Sequence, residues 1–174
     1  MIIRFELENF LSFNNSQSFS MIPSNLRNKQ EHVFTKNGVK LLNLSAIYGA
    51  NASGKTNIIK AIDLFKFIVM RVVPADITSM YFREFVENKT KPTKFEVEFI
   101  KNSSVYAYGV QVILNQRKIQ SEWLYKLYPD KDDEEMVYER KFDDEVYSVK
   151  YNENLIKGED RSRLNFVISD MQTN

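Results

Sequence analysis

The chain has 174 residues, 43% of them hydrophobic, and sets 24 Lys and Arg against 23 Asp and Glu. That length suits one domain with a real core, and the near-zero net charge gives no overall pull toward nucleic acid or an anionic membrane. With no Cys, disulfides, thiolate metal sites and a Cys nucleophile are excluded, and a single His, His32, argues against His-based metal or triad chemistry.

In chain order, IIRFELENF (2–10) alternates apolar Ile3, Phe5 and Leu7 with Arg4, Glu6 and Glu8, which predicts a half-buried strand. The same charges break the apolar stretch that a signal peptide needs. SFSMI (18–22) reads as the partner of this strand, ended by Pro23. Residues 24–38 are polar and predict a loop, in which Arg27 and Lys29 read as solvated rather than as phosphate or DNA contacts. LLNLSAIY (41–48) is nearly all apolar, as suits a strand buried on both faces.

From Lys55 the period changes. Ile58, Ile59, Ile62, Phe65, Val69 and Val72 recur at three- and four-residue steps, which predicts an amphipathic helix ending before Pro74. After a loop over 74–93, runs at 95–100, 105–114, 118–128, 136–142 and 145–151 follow at hairpin spacing and predict an antiparallel meander across 94–151. Its acidic run DKDDEE (130–135) reads as a solvated hairpin tip rather than a metal site. The tail, 152–174, carries no single periodicity. No apolar run approaches the ~20 residues of a membrane span, so the expectation is a soluble cytoplasmic protein.

The chemistry is concentrated between the apolar run and the helix. Gly49-Ala50-Asn51-Ala52-Ser53-Gly54-Lys55-Thr56 fits G-x-x-x-x-G-K-[ST], with a strand expected before it and a helix after it. Gly49 and Gly54 permit backbone angles that a side chain forbids, and Ala50, Ala52 and Ser53 are small enough for the backbone to approach a phosphate. Consecutive N–H groups and the start of a helix favour an anion. Lys55 then reaches the β- and γ-phosphates, and the Thr56 hydroxyl is a ligand for Mg²⁺. A ligand-free glycine turn would not require Lys-Thr after its second glycine.

YGANASGKTNIIKAI resembles the Walker A segment of ABC-class ATPases of the SMC/RecF type, whose loops read G-x-N-x-[SA]-G-K-[ST] followed by Asn; Asn51 and Asn57 fall on that pattern. FELENFLSF resembles the opening strand of the same group, where an N-F-x-S/x-F element lies near the nucleotide base and ribose, which would put Phe10 and Phe13 there. FEVEF, YAYGVQV and KIQSEWLY resemble bacterial AAA-type, RecF-like ATPases, several of them in anti-phage defence or nuclease-associated systems. The resemblance covers roughly residues 1–128.

The resemblance implies an α/β fold: an ABC-class P-loop NTPase lobe with a mixed sheet, one main helix after the loop and an attached antiparallel β-subdomain. It implies ATP and Mg²⁺ held by residues 49–57, with Lys55 catalytic and Thr56 on the metal. It also implies a second protomer sandwiching the nucleotide, a nuclease or other effector as partner, and DNA as a target. The lobe would occupy 1–174, divided at 1–73, 94–151 and 152–174, the last leading toward a helical lobe.

Complete members also need a Walker B strand ending in Asp-Glu and an S-x-G signature loop. NFVISDM supplies Asp170 after an apolar run, but Met171 follows it in place of Glu, and no signature loop occurs. The better reading of the tail puts Gln172 at the glutamine of a Q-loop, near Mg²⁺. The 174 residues alone are thus expected to hydrolyse ATP very slowly or not at all. The alternative is a non-catalytic nucleotide-binding scaffold or switch; a transporter subunit or small-molecule kinase fits the strand pattern less well. Trp123 in SEWLY reads as sheet packing rather than an adenine stacker, and His32 as a surface residue.

Overall fold

The computed structural model describes residues 1–24, 30–70, 91–143 and 146–173, giving the backbone alone for residues 30 and 166–173. Its strands are β1 (Ile2–Glu8), β2 (Gln17–Ser20), β3 (Val33–Lys36), β4 (Val39–Leu42), β5 (Thr93–Lys101), β6 (Ser104–Ile113), β7 (Lys118–Tyr128), β8 (Asp133–Asp143) and β9 (Val146–Tyr151). Among the described residues two α-helices accompany them, α1 (Lys55–Met70) and α2 (Gly158–Thr173).

Seven strands form one sheet in the order β2-β1-β5-β6-β7-β8-β9, and β3 with β4 form a separate hairpin. The alternation in IIRFELE works as expected. Ile3, Phe5 and Leu7 are buried, while the residues between them stay partly exposed. β1 then inserts between β2 and β5, with Phe5 opposite Phe19 on one side and Val97 on the other. The amino-terminal strands and the meander therefore share one sheet. Tight turns fix the meander's register: Asn102 and Ser103 both take positive φ, 46° and 61°, between the paired Lys101 and Ser104.

α1 lies against this sheet. Ala61, Leu64, Phe65 and Ile68 are its buried residues, at the spacing of one helix face. Phe65 meets the rings of Phe5, Phe95 and Tyr108 at centroid distances of 5.6, 6.0 and 5.8 Å. Phe5, Phe10, Phe95, Val110 and Val112 complete that core at 1% exposure or less. Each such side chain contributes about 1.5–3 kcal/mol by leaving water, so α1 is firmly seated on the sheet. A smaller cluster of Ile3, Leu41, Ile100 and Val105 seats the β3–β4 hairpin.

Three expectations need correction. Every strand pairing among the described residues is antiparallel, so the sheet is not mixed. The strand over 41–48 stops at Leu42. Beyond it Leu44 is 81% and Tyr48 89% exposed, because no described strand pairs with this stretch and apolar content alone does not make a ladder. The loop over 24–38 contains a 3₁₀ turn at Gln30–His32 and strand β3, closed by Asn37 and Gly38 at positive φ; Arg27 and Lys29 lie outside the described residues. The tail, whose state the sequence leaves open, is helical over Gly158–Thr173, and Asp170 stands on α2.

Of the acidic run, residues 130–132 form the turn after β7, whereas Asp133, Glu134 and Glu135 open β8, where Glu135 accepts from Tyr128 Oη at 2.8 Å; no group of three or more His, Asp or Glu among the described residues is arranged for a metal ion. No helix of the described residues is long and apolar enough to cross a membrane.

Candidate phosphate-binding site

The loop over Gly49–Gly54 runs directly into α1, which begins at Lys55. Asn51, Ala52 and Ser53 are exposed at its crest. Ala52 and Gly54 take positive φ, 64° and 93°, the second in a region that side chains rarely enter. At Gly49 the constraint is space, since a Cβ there would stand 2.6 Å from Ser53 Oγ. The loop closes on itself through Ser53 N–H, which donates to Ala50 O at 3.2 Å, and α1 starts tightly as Asn57 N–H donates to Gly54 O at 2.9 Å.

Lys55 folds back over this loop. Its Nζ donates to the carbonyls of Gly49 and Ala50, both at 2.7 Å, and lies 3.5 Å from Ser53 Oγ. The ammonium is thereby held above the loop rather than free in solvent, as a group able to exchange carbonyl partners for phosphate oxygens. Thr56 is exposed one residue on, where the first N–H groups of a helix have no partner within it. Small residues, a positive-φ glycine, a poised lysine and a helix start fit a phosphate with its metal ion, where Lys55 would meet the phosphates and Thr56 the metal.

The second wall of the site comes from the other end of the sequence. The turn after β1 is closed by reciprocal hydrogen bonds between Phe10 and Phe13, 2.9 Å each, with Asn9 and Leu11 at φ 52° and 50°. Phe13 Cζ stands 3.1 Å and Ser12 Oγ 2.9 Å from where a Gly54 Cβ would be. Asn57 Nδ2 donates to Ser12 Oγ at 2.9 Å.

Phe13 thus lies beside the loop. Phe10 does not: it is 1% exposed with its ring edge-on to Phe95 at 5.4 Å, so it is a core residue and presents no face to a base. Asn57 directs its amide at Ser12. Gln172 falls in the last turn of α2, and its side chain is outside the described residues. Ser12 stands at the serine of the N-F-x-S element, and nothing in the sequence points it at Asn57.

Trp123 pairs with Gly109 on β6 and donates Nε1–H to Glu96 Oε2 at 3.1 Å. Glu96 alternates with the core residues Phe95 and Val97, so the indole belongs to the sheet face opposite α1 and the loop. On that face Glu96 and Glu6 raise the Lys94 ammonium against the opposing effect of burial. Glu98 is raised by burial, with Arg4 at 3.5 Å opposing. On the α1 face, Glu122 accepts from Tyr108 Oη at 2.6 Å and from Tyr138 Oη at 3.3 Å. Burial first, then the Glu122 charge, pushes both phenols upward.

A family model described as "AAA domain, putative AbiEii toxin, Type IV TA system" matches residues 44–166, from just before the loop to the first half of α2. No curated protein matches the chain.

Proposed function

The chain belongs to this AAA-domain family, and on that premise we propose that it is the ATP-binding lobe of an SMC/RecF-like, ABC-class ATPase serving an anti-phage defence system. The observation that carries the reading is the loop at residues 49–56 with Lys55 Nζ held over its carbonyls and Thr56 beside it. The family's description, which names a toxin of a type IV toxin–antitoxin system, supports the defence context.

Hydrolysis in this reading needs groups that the 174 residues do not supply in sequence, an Asp-Glu pair after an apolar strand and an S-x-G loop. Charge developing on a transferring phosphoryl is stabilised by several groups at once, and Lys55 is one of them. A second protomer closing over the nucleotide would bring the signature loop, and that closure would gate a nuclease or DNA-engaging effector. The exposed Leu44 and Tyr48, on the approach to the loop, support a further element packing there.

The test is titration calorimetry with ATP and Mg²⁺ on the wild type and Lys55→Ala. The wild type is expected to bind, and the variant to bind at least about tenfold more weakly, the loss of a charge-assisted phosphate contact. Equal affinities overturn the reading. Binding without turnover in any assembly of the chain marks a non-catalytic nucleotide switch instead.

A further inference from the structure

We infer that Ser12 is a positioning residue of the phosphate loop: its hydroxyl holds the Asn57 amide, and its turn occupies the space that a Gly54 side chain would need. The inference rests on the nucleotide-binding reading above but concerns residues outside the family match, which begins at residue 44.

Among the described residues, the loop's other hydrogen bonds are its own, among them those from Lys55 Nζ to the Gly49 and Ala50 carbonyls and from Ser53 N–H to Ala50 O. β4 ends at Leu42, and no described strand pairs with residues 43–53. The crest, Asn51–Ser53, is exposed. The turn that touches the loop is, by contrast, pinned three ways to the sheet. The Phe10 side chain is buried on Phe95. Asn9, 7% exposed, donates Nδ2–H to Lys91 O at 2.8 Å. Thr93 Oγ1, at the start of β5, donates to Asn9 O at 2.7 Å. Ser12 and Phe13 therefore project from a rigid base. Both meet Gly54 where its φ of 93° sets the direction of the chain into α1, and Ser12 meets Asn57 on the first turn of that helix.

The physical consequence concerns preorganisation. A loop that must wrap a phosphate loses conformational freedom on binding unless something has already fixed it. The Ser12–Asn57 bond and the Phe13 contact fix the carboxyl-terminal half of the loop, the half that carries Lys55 and Thr56. Ser12 is exposed and small, so its effect is on the loop's shape and not on the core.

The experiment measures ATP·Mg²⁺ affinity by calorimetry, with melting temperature as a companion, for wild type, Lys55→Ala, Ser12→Ala, Ser12→Thr, Asn57→Ala and the Ser12→Ala/Asn57→Ala pair. Ser12→Ala is expected to weaken binding about five- to tenfold, the size of one lost hydrogen bond, with the melting temperature unchanged. Ser12→Thr, which keeps the hydroxyl, should restore affinity. The pair should be no worse than the weaker single variant, because both remove the same bond. Wild-type affinity in Ser12→Ala beside a weakened Lys55→Ala overturns the inference and leaves the nucleotide reading standing. So does strict additivity of the pair, a failure of Thr to rescue, or a loss that tracks a lowered melting temperature. Absence of binding in the wild type overturns both.

Discussion

The indole of Trp123 occupies the space where a side chain of Gly109 would stand: a Cβ built there would lie 2.2 Å from Cε2 and from Cζ2 of the ring. The two residues face each other across β6 and β7. Gly109→Ala must therefore push the ring off the strand and strain its bond to Glu96. The expected cost is about 2 kcal/mol, at the level of other overpacked sites. Trp123 is the only tryptophan, so its emission should shift to longer wavelength as denaturation moves to lower denaturant. Unchanged emission together with unchanged stability would show that the ring does not depend on the glycine.

A second prediction concerns charge on the α1 side of the sheet. Arg140 Nη2 and Glu122 Oε2 are 2.7 Å apart with side-chain exposures of 12% and 17%, and Tyr108 and Tyr138 both donate to the same carboxylate. Glu122→Gln takes from the Arg140 guanidinium the carboxylate that lies 2.7 Å away and leaves Tyr108 and Tyr138 a neutral acceptor. The cost should be about 2–3 kcal/mol, below the 3–5 kcal/mol of a fully buried pair. Replacing both partners with apolar residues, Glu122→Leu with Arg140→Met, should recover much of that loss in urea denaturation. A double variant as unstable as the single one would show that the pair contributes through the tyrosines instead.

Much of the fold was legible because its signals are local. Ile2–Glu8 and the meander announce themselves by period-two alternation, and α1 by the recurrence from Ile58 to Phe65. The β3–β4 hairpin was missed: Asn37-Gly38 between VFTK and VKLL is its turn signal, but the polar residues before it read as a loop. What was not legible is long-range. The apolar run at 41–48 reads as a strand, yet a strand exists only through its neighbours, and no described strand lies beside it past Leu42. The same division runs through the site. Gly49–Thr56 is contiguous and its chemistry is written in the motif, whereas Ser12 meets Asn57 from 45 residues away. Phe10 and Phe13 are only three residues apart, and the tight turn between them sends one ring into the core and the other to the loop.

The metal assignment makes a prediction separable from nucleotide binding itself. If Thr56 supplies a hydroxyl to Mg²⁺, the wild type should bind ATP more tightly with Mg²⁺ than with a chelator present. Thr56→Ala should lose most of that difference while keeping the chelator-condition affinity. Thr56→Ser should retain it. Thr56 is exposed at the first turn of α1, so none of these changes should alter the melting temperature without ligand. A Thr56→Ala protein that still gains fully from Mg²⁺ would reassign the metal to other ligands.

Tyr125 carries the pH prediction. Its hydroxyl donates to Glu139 on the neighbouring strand. That hydrogen bond first, then burial and the charge of Glu139, pushes the phenol up to about 12 from an ordinary 10.0. A folded-state value above the unfolded one means that the folded protein holds the proton more tightly. The resulting stabilisation is fully present below 10.0 and is lost as pH rises through about 12. The stability difference between wild type and Tyr125→Phe should accordingly be flat at neutral pH and shrink across that alkaline window. A phenolate absorbance titration gives the independent check, since the component missing from Tyr125→Phe should lie near 12. In Glu139→Gln the Tyr125 component should fall back toward 10.0, because the acceptor keeps an oxygen but loses its charge. A Tyr125 component already near 10.0 in the wild type would mean that the Glu139 bond does not hold the proton in solution.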